Sequence, residues 1–337
     1  AWPINQVWPG YQRPLDQTEL ASFSYFDCSG KVRVELESVV EFSSVHIRPL
    51  SYGIVPEVEG NTIRFEMPGP GHVVVELDDY HNAFHLFASP LETEKPDPDD
   101  PKVHYFGPGI HKAGIISLKS NETVYIEGGA SVHGLIEARD ASNIRIAGRG
   151  ILDASQIGRF EGPYMISLHN CDDAKVDGII LRDPHKWTLV PDRCRDVEIS
   201  NVKLIGLWRY NTDGIDIVNS QDVLIRDCFI RAFDDNIVLK GLMRRDDTVK
   251  GPDVKNIRVQ NCVLWNDWGK PLKIGTETKA DSITRIFIED CDIVHFVHYA
   301  MDFFNGARAV ISHVTFNDIR IEEPITEKAS IAETIYD

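Results

Sequence analysis

Three carboxylates pose the first question. Asp213 lies in NTDGIDI, and Asp234 and Asp235 stand side by side in FDDNI about twenty residues later. Adjacent like charges repel and make poor core residues, yet all three fall in a run of short apolar alternations. Bunched acids shift one another's pKa values, so that one stays protonated while another is ionised. A protonated acid beside an ionised carboxylate is the equipment of general acid–base chemistry. Clustered Asp also serves calcium, and an Asx-type turn accounts for one Asp of the pair. The turn leaves unexplained a third acid that matches them in phase.

That phase depends on the elements around the acids. Short β triplets recur as VYI ending at Ile126, IRI at Ile146, AKV at Val176, VEI at Ile199, VLI at Ile225, IRV at Val259, IFI at Ile288 and AVI at Ile311. The intervals are 20, 30, 23, 26, 34, 29 and 23 residues. A polar pair and a second apolar alternation usually follow, as in IRDCFI, VQNCVL and IEDCDI. Cys228, Cys262 and Cys291 share one register, with Val314 expected in the next repeat. A slot filled by Cys, Cys, Cys and Val reads as a core stack, because free cysteine behaves as a small buried hydrophobe. Irregular periods of this size with β propensity indicate a solenoid of strands, and the LxxLxLxxN signature of leucine-rich repeats is missing. The expected fold is an all-β, right-handed parallel β-helix. Asp213 follows the Ile199 triplet by 14 positions, and Asp234 and Asp235 follow the Ile225 triplet by 9 and 10. Turns stack about 4.8 Å apart, so similar phase places the three acids on one face.

The repeats begin after PLETEKPDPDDPKV, which is rich in Pro and acid and has no periodicity. Before it, KVRVELE, SVHIRPL, TIRFEM and HVVVELD alternate between Gly, Pro and Asn turns, the pattern of a small antiparallel β-sandwich. The expected division is a sandwich over 1–95, a linker over 96–103 and the β-helix over 104–337. The 337 residues are 42% hydrophobic and carry a formal net charge of -17, which excludes wholesale disorder and repels nucleic acid and anionic membranes. No apolar run approaches a membrane span. The chain opens at AWPINQVWPG without Met, as a mature chain after signal cleavage or a trimmed one would, so a secreted or periplasmic location is expected. The six cysteines form no CxxC pair, and no cofactor or metal is expected.

With NTDGIDI and DDNI placed one turn apart, the sequence resembles the polygalacturonase family, family 28 of the glycoside hydrolases, and the related dextranase family 49. The similarity covers most of 104–320, including FGPGIHKAGIISLKSNETVYIEGGASVHG. It implies a β-helix that hydrolyses glycosidic bonds with inversion. It also implies Asp234 as the proton donor, Asp213 and Asp235 holding and deprotonating the water, and Asn211 orienting the cluster. Inversion ordinarily separates acid and base by about 6.5–9.5 Å, whereas about 5 Å suits retention. Two departures bear on the substrate. WGKPLKIGT replaces the family's Gly-His-Gly segment, so Lys270 stands at the His position. The uronate-binding Arg-Ile-Lys triplet falls on Ala300 to Asp302. An acid at the Lys position disfavours a uronate at the cleaved bond and points to a neutral, dextranase-like sugar. Lys240 and Lys273 are candidate contacts for an anion elsewhere.

Trp187 is a candidate sugar platform, with His185 beside it as a hydroxyl partner, although each has a purely structural alternative. Trp208, Tyr210, Trp265 and Trp268 form an expected aromatic group around the acids, and His298 and Tyr299 line the far side. The partner expected is a polysaccharide or oligosaccharide. Alternatives are a pectin hydrolase of polygalacturonase type, a polysaccharide lyase using Ca²⁺, and a non-catalytic carbohydrate-binding β-helix. Only VTFNDIRIEEPITEKASIAETIYD follows the last triplet. A missing C-terminal segment or a partner is therefore expected to cover that end.

Overall fold

The computed structural model describes residues 21–206, 209–243, 251–326 and 330–336. They fall into two compact units, one within Asp16–Lys95 and one within Pro96–Asp337. No helix among the described residues is long and apolar enough to cross a membrane.

The first unit has a four-stranded and a three-stranded sheet around Val34, Ile47, Ile63, Phe65, Met67, Val73, Val75 and Leu86. Its pairings are antiparallel with one departure from the expected pattern: Ser22–Cys28 runs parallel to Asp79–Pro90. These strands lie at opposite ends of the unit's sequence, so no hairpin reverses one against the other.

The second unit is a right-handed parallel β-helix whose strands form one continuous sheet of 23. Its first strand, Val103–Phe106, begins at the end of the Pro-rich segment. Each turn has three faces. The first runs through Asp172–Asp177, Arg195–Ser200, Gln221–Arg226 and Val254–Gln260. The second runs through Ile180–Arg182, Lys203–Gly206, Phe229–Ala232 and Val263–Asn266. The third runs through Ile166–His169, Leu189–Asp192, Ile215–Val218, Ile237–Gly241, Leu272–Thr278 and Tyr299–Asn305. Alternate residues point inward, so Ile215, Ile217, Ile237, Leu239, Leu272 and Ile274 are buried while the residues between them face outward.

The polar pair between triplets makes the corners. Asn121, Asn143, Asp173, Asp196, Asp222, Asn256, Arg285 and His313 occupy equivalent corners with φ between 52° and 65°. Asp and Asn tolerate this left-handed region better than other side-chain-bearing residues. The column is stitched by bonds from side-chain amides to side-chain oxygens, such as Asn143 Nδ2 to Asn121 Oδ1 at 2.9 Å and Asn256 Nδ2 to the Asp222 carboxylate at 2.6 Å. The NET sequence at 121–123 therefore begins at a corner.

Two register expectations fail. Val124, rather than Ile126, pairs with Ile146, and Ile288 pairs with Phe316, rather than Ile311. The first slip is of two residues, which an apolar alternation cannot distinguish; the second is of five, because VISHVTF offers two apolar triplets and the pairing takes the later one. Consequently Ile319, rather than Val314, continues the column of Cys228, Cys262 and Cys291. All six cysteines are free and buried. At the last described turns Ile311, Val314 and Phe316 are half-buried, where Ile283, Ile286 and Ile288 one turn earlier are fully buried.

Candidate active site

The loops from the second face to the third carry the chemistry. Asp213 precedes Ile215–Val218, Asp234 and Asp235 precede Ile237–Gly241, and Lys270 precedes Leu272–Thr278. The parallel register sets Ile215 opposite Ile237 and Ile237 opposite Leu272. Asp213, Asp235 and Lys270 thus fall in one column. Backbone bonds from Gly214 N to Asp235 O (2.8 Å) and Asn236 N to Lys270 O (2.8 Å) lock the turns together.

Local chemistry fixes the acid pair. Asp235 N donates to Asp234 Oδ1 at 3.0 Å, a bond to the adjacent residue rather than the bond two residues on that an Asx turn makes. Asn236, fully buried, donates to the carbonyls of Ile230 and Trp265. Asn266 donates to Asp234 O at 2.7 Å and Asn236 Oδ1 at 2.9 Å. Gly269 packs on this turn so closely that a Cβ there would lie 2.5 Å from Asp235 N and 2.7 Å from Asp234 Oδ1.

Asp213, Asp234 and Asp235 each present an oxygen within 4.8 Å of the others. The 6.5–9.5 Å separation expected of an inverting pair is therefore not found; neighbouring turns hold the acids at the strand spacing. Two lysines enter the cluster from the third face. Lys240 Nζ lies 3.0 Å from Asp213 Oδ2 and 2.7 Å from Asp216 Oδ1. Lys273 Nζ lies 3.1 Å from Asp235 Oδ2 and 3.7 Å from Asp302 Oδ2. Asn211 Nδ2 donates to Asp213 Oδ1 at 3.3 Å, and Lys270 N to Asp235 Oδ1 at 3.0 Å. These ammonium groups supply positive charge to Asp213 and Asp235 from within the chain.

The electrostatics separate the acids. Asp234 is partly exposed and has no ion-pair partner among the described residues. Burial, then the charges of Asp213 and Asp235, hold its pKa well above the usual carboxylate range. Burial also raises Asp213, to about 6, against the pull of Lys240. Lys240 is raised in turn, since its carboxylate neighbours, Asp213 first, outweigh its own burial. The two directions agree: one ammonium serves several acids, so it remains charged while no single acid is fully compensated. Tyr210 is raised as well, by burial and then by Asp234.

Other expected contacts are corrected. His185 is fully buried, its pKa lowered to about 4 by burial and then by Lys186 and Arg209, so it cannot meet a substrate. Trp187 has Lys240 Nζ 3.6 Å above its ring and stacks on Tyr164 at 5.4 Å, which closes it as an open sugar platform. Trp265 is fully buried between Arg231 and His295, on the second face. Trp208 lies outside the described residues. Trp268 stacks on Phe233 and meets Tyr210 and His298 edge-on, so His298 enters through this aromatic group. Tyr299 starts the next strand of the third face and is half-buried. Asp302 is buried but not unpartnered, because Lys273 opposes it across the ladder. Lys240 and Lys273 are both engaged by protein acids rather than open to a substrate anion.

Asp216 was missed by sequence reasoning. It stands three residues after Asp213 in the same motif, on an outward position of a strand whose neighbours are Ile215 and Ile217. An acid between two core residues was the signal that could have found it.

Fold and site together define the class: a parallel β-helix with three acids bunched at the loops between two of its faces. Residues 135–332 match the family described as glycosyl hydrolases family 28, and the chain belongs to that family. The "Probable polygalacturonase" of Vitis vinifera is 22% identical over 120 residues, which is 35% of this chain and about a quarter, 24%, of that protein. Among solved structures, Dex49A from Penicillium minioluteum superposes with a TM-score of 0.55 at 16% identity, covering 92% of this chain and 78% of its own. The family 28 exopolygalacturonase of Yersinia enterocolitica gives 0.54 at 14% identity, covering 79% and 74%. These structures share the β-helix fold.

Proposed function

We propose that the chain is an inverting hydrolase of glycosidic bonds, acting outside the cytoplasm on a polysaccharide or oligosaccharide with a neutral sugar at the cleaved bond. The observation that carries it is the split among the acids: Asp213 and Asp235 each meet an ammonium at about 3 Å, and Asp234 meets none. Asp234 keeps its proton and gives it to the leaving oxygen. Asp213 and Asp235 hold a water against the anomeric carbon, and one accepts its proton as the C–O bond breaks. By separation alone the acids would suit retention. Against that, both oxygens of Asp213 and both of Asp235 already face protein donors, which suits anchoring a water better than attacking as a free nucleophile.

The neutral sugar follows from charge. Asp213, Asp216, Asp234, Asp235 and Asp302 surround Lys240 and Lys273, both already engaged, so a substrate carboxylate finds repulsion and no open cation there. One observation favours a second reading, a pectin hydrolase: among the described residues the Lys270 ammonium has no carboxylate partner, and it begins the strand beside Asp235. Reducing-end release from dextran, galactan and polygalacturonate, with the product anomer read by proton NMR, tests both. Neutral-glycan cleavage with an inverted first product supports the proposal. Polygalacturonate cleavage at a competitive kcat/KM replaces it with the pectin reading, and a retained anomer removes inversion.

A further inference from the structure

We infer that Asp216 is a positioning residue of the acid cluster: it shares the Lys240 ammonium with Asp213, and so makes Asp213 rather than Asp235 the acceptor of the water's proton. The inference deepens the hydrolase reading and rests on it for the role of the water.

The geometry is unequal between the two lysines. Lys273 leans toward the water-side acid, 3.1 Å from Asp235 against 3.7 Å from Asp302. Lys240 is divided: it donates a directed hydrogen bond to Asp213 at 3.0 Å while its nitrogen also lies 2.7 Å from Asp216. Asp235 therefore receives most of one ammonium and Asp213 receives part of another. An acid with less compensation binds a proton more tightly. Lys240 cannot swing to redress the balance. It is almost fully buried, and Trp187 covers it at 3.6 Å.

The charged groups facing this site come from each neighbouring segment. Asp213 and Asp216 flank the start of Ile215–Val218, while Asp234 and Asp235 lie on the next loop. Lys273 and Glu277 stand on Leu272–Thr278. Of these, Asp216 is nearest to the Lys240 nitrogen. Asp213 is poised at about 6, a range suited to taking a proton near neutrality. In the reaction the water's proton passes to Asp213 Oδ, Asp234 loses its own to the leaving oxygen, and Asp235 orients the water through its remaining lone pairs.

The test is a carbon-13 NMR titration of the aspartate carboxyls in the free protein, with Asp213 assigned by Asp213→Asn. Substituting Asp216→Asn returns the whole ammonium to Asp213, and its midpoint should fall by about one unit. Asp216→Ser should do the same and guards against poor folding of the first variant. In the wild type, the Asp213 curve should show a second step as Asp216 titrates. An unchanged Asp213 midpoint in a folded variant, or a single-step wild-type curve, overturns the inference. On a cleaved glycan the acid limb of kcat/KM should move down with the midpoint while KM holds, which a merely structural role would not produce. Absence of any glycan cleavage would fall on the hydrolase reading, and the titration would still judge the sharing of Lys240.

Discussion

Replacing Lys240 with Met is the sharpest test of how the buried acids are held. The ammonium lies 3.0 Å from Asp213 and 2.7 Å from Asp216, and all three side chains are at most 4% exposed. Met keeps the length and apolar contacts but removes the charge, leaving two carboxyls with no ion partner. Removing one member of a buried pair costs about 3–5 kcal/mol. The pH dependence has a definite sign. Without Lys240 both carboxyls are held still further above the value near 3.8 that they have when unfolded. A native state that binds more protons than the unfolded chain loses stability as pH rises from the unfolded value through the folded one. The variant should therefore trail the wild type by about 3–5 kcal/mol at pH 8 and by much less at pH 4.5 in urea unfolding with unchanged m. A loss below about 1 kcal/mol at pH 8, or one independent of pH, would refute the view that this ammonium compensates two desolvated acids.

The remaining expectations are shorter. Asp234→Asn should lower kcat by about 10²–10⁴-fold, with urea stability at pH 7 unchanged or raised, because burial and two acids already disfavour its charge. Gly269→Ala should cut turnover by about 10²-fold, since a Cβ 2.5 Å from Asp235 N must displace the acid pair; kinetics beside a circular-dichroism check of folding reads this. With Asp213 held at about 6, kcat/KM should fall as pH drops through that value and its carboxylate is protonated, so an acid limb near pH 4 would remove Asp213 as the base.

The β-helix was legible because its stack residues repeat, and a repeat is visible however irregular its period. Register at the ends was less legible. Val124 and Ile126 serve equally well as the apolar member of an alternation, and only pairing with Ile146 chooses between them. The acid column was read correctly as a shared phase of Asp213 with Asp234 and Asp235. Its partners were not, because contacts between turns, direct and diagonal, decide them. Lys240 reaches Asp216 across the ladder, and Lys273 reaches both Asp235 and Asp302. Aromatic residues were the weakest part of the reading. A Trp near the acids in sequence can lie on the second face, as Trp265 does, or be covered by a cation, as Trp187 is.

The left-handed corners carry a consequence for how such a molecule can change. Asn121, Asn143, Asp173, Asp196, Asp222, Asn256, Arg285 and His313 hold the same bend turn after turn, so the chain returns to the same azimuth whatever it does elsewhere. Length can then be gained or lost between the second and third faces without disturbing the coil, which is where the acids stand. A lineage could lengthen one such excursion, or a designer could graft one, and meet a new sugar over an unaltered stack. Insertion at a corner would rotate every later rung and scatter the acids. The coil behaves as a chassis, and its substitutable parts hang on the connections into and out of the third face, the one from Gly241 to Val254 included.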